Sequence, residues 1–265
     1  MSQSGETADT LAALRLAKMQ NIRTLAIVNV AGSSIAREAQ RVIYTHAGPE
    51  IAVASTKAFS VQAAVFCMLA VRLLALYGKR TDDENTGLAK ALRKIPEAFE
   101  KTLSLSEDCE KCAQTLKNAV SVFFIGRGID HCFSMEGALK LKEISYIHCE
   151  ACPAGELKHG TISLVTKGTP IIALATQSEL LEKMISNIRE VKSRGAYVIL
   201  ICNETMELSE NTADQIIRIP KIPENDFFSA LPAVVPLQMI AYHTAVLRGC
   251  DVDKPRNLAK SVTVE

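Results

Sequence analysis

Residues 2–7, Ser-Gln-Ser-Gly-Glu-Thr, place three hydroxyls, an amide and a glycine just ahead of a helical stretch, Ala8–Lys18. Ser2, Gln3, Ser4 and Thr7 are neutral hydrogen-bonding groups beside the free N–H groups and positive dipole end of that helix, a ready cradle for a phosphate. The same residue types also serve as a plain N-cap, satisfying first-turn amides and nothing more. Further on, Glu136, Lys140 and Glu143 fall at i, i+4 and i+7 of a helix and share one face. Such a stripe is either a solvated run of ion pairs or a carboxylate beside an ammonium at a pocket. In the second case Glu143 shuttles a proton and Lys140 polarises an oxygen. Glu156 and His159 stand in a stretch rich in Gly and Pro. No second histidine follows at i+4, so no metal site is assigned, and His159 suits acid–base work near neutral pH. Lys260 is the sixth residue from the end, in a tail whose Leu258, Ala259, Val262 and Val264 offer apolar anchors. It is either a solvated tail lysine or, if docked near a carbonyl, a Schiff-base former.

The elements that must position these groups occur twice. At a constant offset of 174 residues, Gln3-Ser4 falls on Gln177-Ser178, Lys18 on Lys192, Ile27 on Ile201 and Asn29 on Asn203. The match continues through Ala39 on Ala213, Ile43 on Ile217, Pro49-Glu50 on Pro223-Glu224 and Ser55 on Ser229. Each copy reads as a Gln-Ser loop, a helix, a β-branched strand (24–30; 196–202), a polar segment, a second strand (41–45; 215–219) and a long apolar helix. The later copy has more: a strand at 120–125, the turn Gly126-Arg127-Gly128, a helix over about 133–147 and a strand at 170–175. Strands alternating with helices predict an α/β fold with parallel sheets flanked by helices. The first copy is expected to be truncated at its N-terminus, as in an excised piece. The expected division is 1–78 for the truncated first domain, 79–118 for a helical connector, 119–250 for the second domain and 251–265 for a tail that joins the site. Gly126-Arg127-Gly128 lacks the third glycine of a dinucleotide fingerprint and reads as a tight β–α turn.

Composition removes several classes. Thirty basic against 29 acidic residues give a charge of +1, without the basic field a nucleic-acid binder uses to neutralise phosphates. The longest uninterrupted apolar run, Ala63–Val71, is short for a bilayer, so no membrane association is expected. MSQSGETADT lacks the basic flank and apolar core of a secretory signal, and a cytoplasmic setting is expected. Eight cysteines include the pairs Cys109/Cys112 and Cys149/Cys152, too far apart for a zinc ribbon. They read as reduced thiols that mostly pack the interior.

The stretches SQSGET, EIAVASTKAF, EGALKLKEISYIH, GELKHG and KPRNLAKSVTVE resemble the isomerase portion of the glutamine–fructose-6-phosphate aminotransferase family, from residue 2 to residue 265. The resemblance implies two sugar isomerase (SIS) domains, each a flavodoxin-like α/β sandwich, which accounts for the repeat. It implies that Ser2, Gln3, Ser4 and Thr7 hold the sugar phosphate, with Val53 and Ser55 lining the sugar pocket and Ala259 adjoining the phosphate. It further implies Lys260 as the imine-forming lysine, Glu143 as the base moving a proton between C1 and C2, and Lys140 as its assistant. His159 would promote ring opening from the neighbouring subunit of a homodimer. The implied substrate and product are fructose 6-phosphate and glucosamine 6-phosphate, with no metal or redox cofactor. The family's glutaminase domain has no counterpart in these residues, so a fragment with at most weak isomerase activity is expected. A non-catalytic phosphosugar-binding SIS regulator is the alternative. It would need the cradle but not Glu143, His159 and Lys260 together.

Overall fold

The computed structural model describes residues 1–223 and 226–261. They form two compact units, one made of Met1–Phe66 with the tail from Asp253, the other of Cys67–Val252. The segment 79–118 therefore folds within the second unit, and the tail folds with the first. Val262 and Val264, expected as tail anchors, lie outside the described residues, as does Glu224 of the repeat.

In the first unit, α1 (Ala8–Met19) follows the Gln-Ser loop and leads to β1 (Leu25–Val28). A short α2 (Ser34–Glu38) connects to β2 (Arg41–Tyr44), which pairs with β1 in parallel. Ala26, Val28 and Ile35 pack into a small core with Leu11, Leu14 and Val42. The long α3 (Lys57–Leu76) starts in this unit and runs past its boundary.

The second unit opens with α4 (Asp82–Leu103), whose Thr81 and Glu84 satisfy each other's backbone amides in a capping box, and α5 (Ser106–Leu116). Then come β3 (Ser121–Gly126), α6 (Ile129–Ser145) and β4 (His148–Pro153). Two 3-10 turns, Ala154–His159 and Thr161–Leu164, precede β5 (Pro170–Ala175). The remainder is α7 (Leu181–Lys192), β6 (Tyr197–Asn203), β7 (Gln215–Ile219), the single-turn α8 (Asp226–Ser229) and α9 (Val234–Leu247). Strand β4 was not foreseen: its sequence HCEACP carries a charge and ends on proline, as suits the sheet edge it occupies. The helix expected over 133–147 begins four residues earlier, because Gly126 lets its first turn sit on the strand end. A Cβ there would lie 2.6 Å from the Asp130 and His131 backbone.

The sheet order is β4-β3-β5-β6-β7, all parallel. Numbered from its own first strand, this is the 2-1-3-4-5 order of the flavodoxin-like doubly wound fold. Central strands β5 and β6 are continuous apolar runs buried after their first residue, as strands covered on both faces must be. Ile171, Ile172, Leu174 and Ile199 are fully buried, each worth about 1.5–3 kcal/mol in burial free energy.

The repeat is exact in register. Leu25 pairs with Arg41 in one unit and Ile199 with Gln215 in the other, each residue displaced by the same 174 positions. Helices α1 and α7, and α3 and α9, overlap under the same shift. By length and composition two helical stretches, Lys57–Leu76 and Asp226–Leu247, are apolar enough to cross a membrane, a test that core helices also pass. The second contains α9, a core helix packed on α5 and α6, and α3 is its sequence counterpart. The apolarity of α9 is that of a buried helix in a doubly wound domain, while α3 leaves Phe66, Met68, Leu73 and Leu76 exposed.

All eight cysteines are free thiols. Six are buried, Cys132 is exposed and Cys250 is half-buried. Burial pushes the Cys109, Cys112 and Cys149 thiols up to about 12. They act as small apolar packing groups.

Candidate active site

The 2–7 loop is built from its own hydroxyls. Ser2 Oγ accepts the Gly5 N–H at 3.0 Å and lies 2.9 Å from Thr7 Oγ1, and Ser4 Oγ accepts the Glu6 N–H. Gly5 has φ +71°, and a Cβ there would fall 2.0 Å from Ser33 Oγ, so the turn admits only glycine without a shift. Thr7 occupies the N-cap position of α1, yet its hydroxyl caps no amide of that helix. The plain capping role is thus not the one its side chain plays. Gln3 Oε1 is buried and has no hydrogen-bond partner among the described residues.

Gln3 and Ser4 line a cleft of about 640 Å³ with Asn29, His46, Glu50 and Lys260. Asn29 shapes one wall: its Oδ1 accepts from Thr45 Oγ1 and the Ala47 N–H, and its Nδ2 donates to Gly48 O. Glu50 accepts the Thr56 and Ala58 amides at the start of α3. Neither role was read from the sequence, although the Asn29/Asn203 match in the repeat marked the position. The tail reaches this cleft. Lys260 Nζ donates to Ala52 O at 2.7 Å and to Ser55 Oγ at 3.2 Å. Val53 receives the tail through its N–H, which donates to Asp253 O, while Ala259 is exposed. Ser2, Gln3, Ser4, Thr7, Ser55 and Lys260 thus share one unit and one end of its sheet.

The other predicted groups belong to the second unit. On α6, Lys140 is 5% exposed and Glu136 8%. The Lys140 ammonium lies 2.6 Å from Glu143 Oε2 and 3.6 Å from Glu136 Oε1. Glu136 and Lys140 of the stripe are therefore buried rather than solvated, and Glu143 is partly exposed. Glu136 is pushed up to about 7, chiefly by burial and also by the Glu143 charge, against the pull of Lys140. Burying one cation between two carboxylates gives a cluster whose protonation changes near neutral pH, the property acid–base chemistry requires. His159 ends the first 3-10 turn with an exposed side chain. Arg127 of the Gly-Arg-Gly turn donates to Asn187 Oδ1 of α7 at 3.0 Å, a structural tie.

The second unit's parallel sheet has the flavodoxin-like doubly wound order, and the family comparison agrees with an α/β fold of this kind. A model described as SIS domain matches residues 1–72 and 115–248, and the chain belongs to the SIS domain family. Within it, the chain is similar over its whole length to glutamine–fructose-6-phosphate aminotransferases (isomerizing). It is 52% identical over 265 residues to that of Caldanaerobacter subterraneus subsp. tengcongensis and 49% identical to that of Thermococcus kodakarensis. It spans 43% of the length of each. The solved C-terminal domain of glucosamine-fructose-6-phosphate aminotransferase from Francisella tularensis superposes with a TM-score of 0.91 at 38% identity, covering 96% of this chain and 71% of that one. Glucosamine-6-phosphate deaminase from Thermotoga maritima follows at a TM-score of 0.70 and 26% identity, covering 98% and 73%. The similarity is to the isomerase part of the aminotransferases.

Proposed function

We propose that this chain carries the sugar-phosphate isomerase chemistry of a glutamine–fructose-6-phosphate aminotransferase, acting on fructose 6-phosphate toward glucosamine 6-phosphate. The observation that carries the reading is the tail lysine folded into the cleft of the hydroxyl loop: Lys260 lines the same cavity as Gln3 and Ser4. A non-catalytic sensor would need the loop and not the amine.

In this reading Ser2, Gln3, Ser4 and Thr7 take the phosphate, with α1's dipole favouring the dianion. Phosphate anchorage remote from the reacting carbons fixes the substrate in register, the usual source of a large rate gain. Val53 and Ser55 contact the sugar, and Ala259 adjoins the phosphate. Lys260 Nζ adds to the C2 carbonyl of the open-chain ketose, water leaves and an imine forms; ammonia then adds at C2 and expels the lysine amine, leaving the sugar's own C2 imine. Glu143 takes a proton from C1 of that imine and returns it at C2 while the C1 hydroxyl gives up its proton and becomes the aldehyde, and Lys140 stabilises the negative charge that develops on O1. His159 promotes ring opening from a partner subunit in a cytoplasmic homodimer.

Borohydride trapping tests the central step. Incubation of the folded chain with fructose 6-phosphate and borohydride should leave a hexitol phosphate on Lys260, located by peptide mass, and none in Lys260→Arg. An adduct spread over surface lysines, or none on Lys260, overturns the assignment.

A further inference from the structure

The Arg127 side chain leaves the Gly126-Arg127-Gly128 turn and reaches the segment that carries His159. That segment, Ala154–His159, is a 3-10 helix. Three residues per turn bring every third side chain onto one face. Ala154 and Leu157 form the first face, both fully buried in the core of the second unit. Gly155 and Lys158 form the second face. Glu156 and His159 form the third and are exposed.

The second face rests on α7 through two contacts. Arg127 Nε donates to Asn187 Oδ1 at 3.0 Å, and Asn187, on α7, is 4% exposed. The other two nitrogens of the guanidinium lie against Gly155: a Cβ on that residue would stand 3.4 Å from Nη2 and 3.6 Å from Nη1. Lys158 Nζ meets Glu190 Oε1 of α7 at 2.7 Å, but Lys158 is exposed and such a surface pair contributes little. The guanidinium is therefore the spacer that holds the turn off α7, planar and with its donors in fixed directions. The end of the turn has no comparable support, since a Cβ on Gly160 would meet nothing within 4 Å.

We infer that Arg127 is a positioning residue for His159: it fixes the height of the 154–159 turn above α7, and with it the direction in which the imidazole leaves the surface. Without the guanidinium, the Gly155–Lys158 face settles toward α7. The short helix then turns about its anchored Ala154–Leu157 face and carries the His159 face with it. Misplacing a catalytic group by about 1 Å can cost about a hundredfold in rate. The inference rests on reading His159 as the group that promotes ring opening, and a sugar that has no ring keeps the two apart in the test.

The experiment compares fructose 6-phosphate with 5-deoxyfructose 6-phosphate, which lacks the hydroxyl that closes the furanose ring and is permanently open-chain. The full 265-residue chain is incubated with each sugar and borohydride. The initial rate of adduct formation on Lys260 is read by peptide mass for the parent, Arg127→Ala, Arg127→Lys and His159→Ala. Arg127→Ala should slow the adduct with fructose 6-phosphate at least about tenfold and alter that with the open-chain sugar less than about twofold. Arg127→Lys should act in the same direction, since it keeps the charge but loses the plane and the Nε–H. Hydrogen exchange followed by mass spectrometry reads the turn without any substrate. Peptides covering 154–160 should exchange at least about tenfold faster in Arg127→Ala, with those of β5 and β6 unchanged. Equal effects on the two sugars, unaltered exchange at 154–160, or a lysine variant that matches the parent overturns the inference. If His159→Ala fails to distinguish the sugars while Arg127→Ala loosens the turn, the ring-opening role of His159 falls instead.

Discussion

Glu136→Gln tests whether the buried cluster on α6 is held as its geometry implies. Glu136 rises from an ordinary value of 4.5 to about 7 in the folded chain, and burial is the largest cause. A carboxyl raised on folding gives stability that is fully present below 4.5 and is lost as pH climbs through about 7. The full loss is about 3 kcal/mol, and about 2–3 kcal/mol of it falls between pH 5 and pH 8. Glutamine keeps the shape and stays neutral, while Lys140 retains Glu143 at 2.6 Å. The variant should therefore gain about 2–3 kcal/mol relative to the parent on going from pH 5 to pH 8. Urea unfolding followed by far-ultraviolet circular dichroism, at several pH values across that window, measures the difference. Asp130, whose carboxyl burial pushes up to about 6, contributes equally to both proteins and cancels. A difference that is flat with pH, or that favours the parent as pH rises, would refute the argument that Glu136 is ionised only at a cost.

Glu143→Gln should leave phosphosugar binding nearly unchanged and abolish exchange of the C1 proton with solvent deuterium, followed by proton NMR; surviving exchange removes Glu143 as the base. Gly5→Ala introduces a Cβ into Ser33 at a positive φ, so phosphate affinity at the 2–7 amides should fall at least about tenfold, with a stability loss of about 1 kcal/mol or more. Calorimetric titration and thermal melting read the two effects. With a thiol reagent at pH 8, Cys132 and Cys250 should label quickly and the other six slowly, because burial keeps those six protonated. Rapid labelling of Cys109 or Cys112 would contradict their packing role.

What the sequence disclosed follows from where the physics is local. Strands β5 and β6 are uninterrupted apolar runs, and a residue pattern alone identifies them. The repeat was visible because paired strands cannot slip by a residue without turning every side chain to the wrong face, which keeps the spacing intact. Strand β4 was hidden because an edge strand tolerates the polar residues of HCEACP, which read as loop. The burial of Lys140 was hidden too: spacing puts three charges on one helix face but says nothing about what covers that face. The carboxylate of Asp130 meets Thr176 across 46 positions of chain, a partnership that only tertiary structure creates. The Lys260 contact with Ala52 O spans 208 positions and has the same origin.

The strand pairs Leu25–Arg41 and Ile199–Gln215 keep the same phase, so this polypeptide supplies its own control molecule. Stretches such as 25–44 and 199–218 can be exchanged between halves with no change of length. Each amide then keeps its partner across the ladder, and only the chemistry at the strand tips moves. Any gain or loss of ligand in such a chimera is thereby chargeable to side chains alone, a separation of scaffold from reactivity that ordinary point replacement seldom achieves.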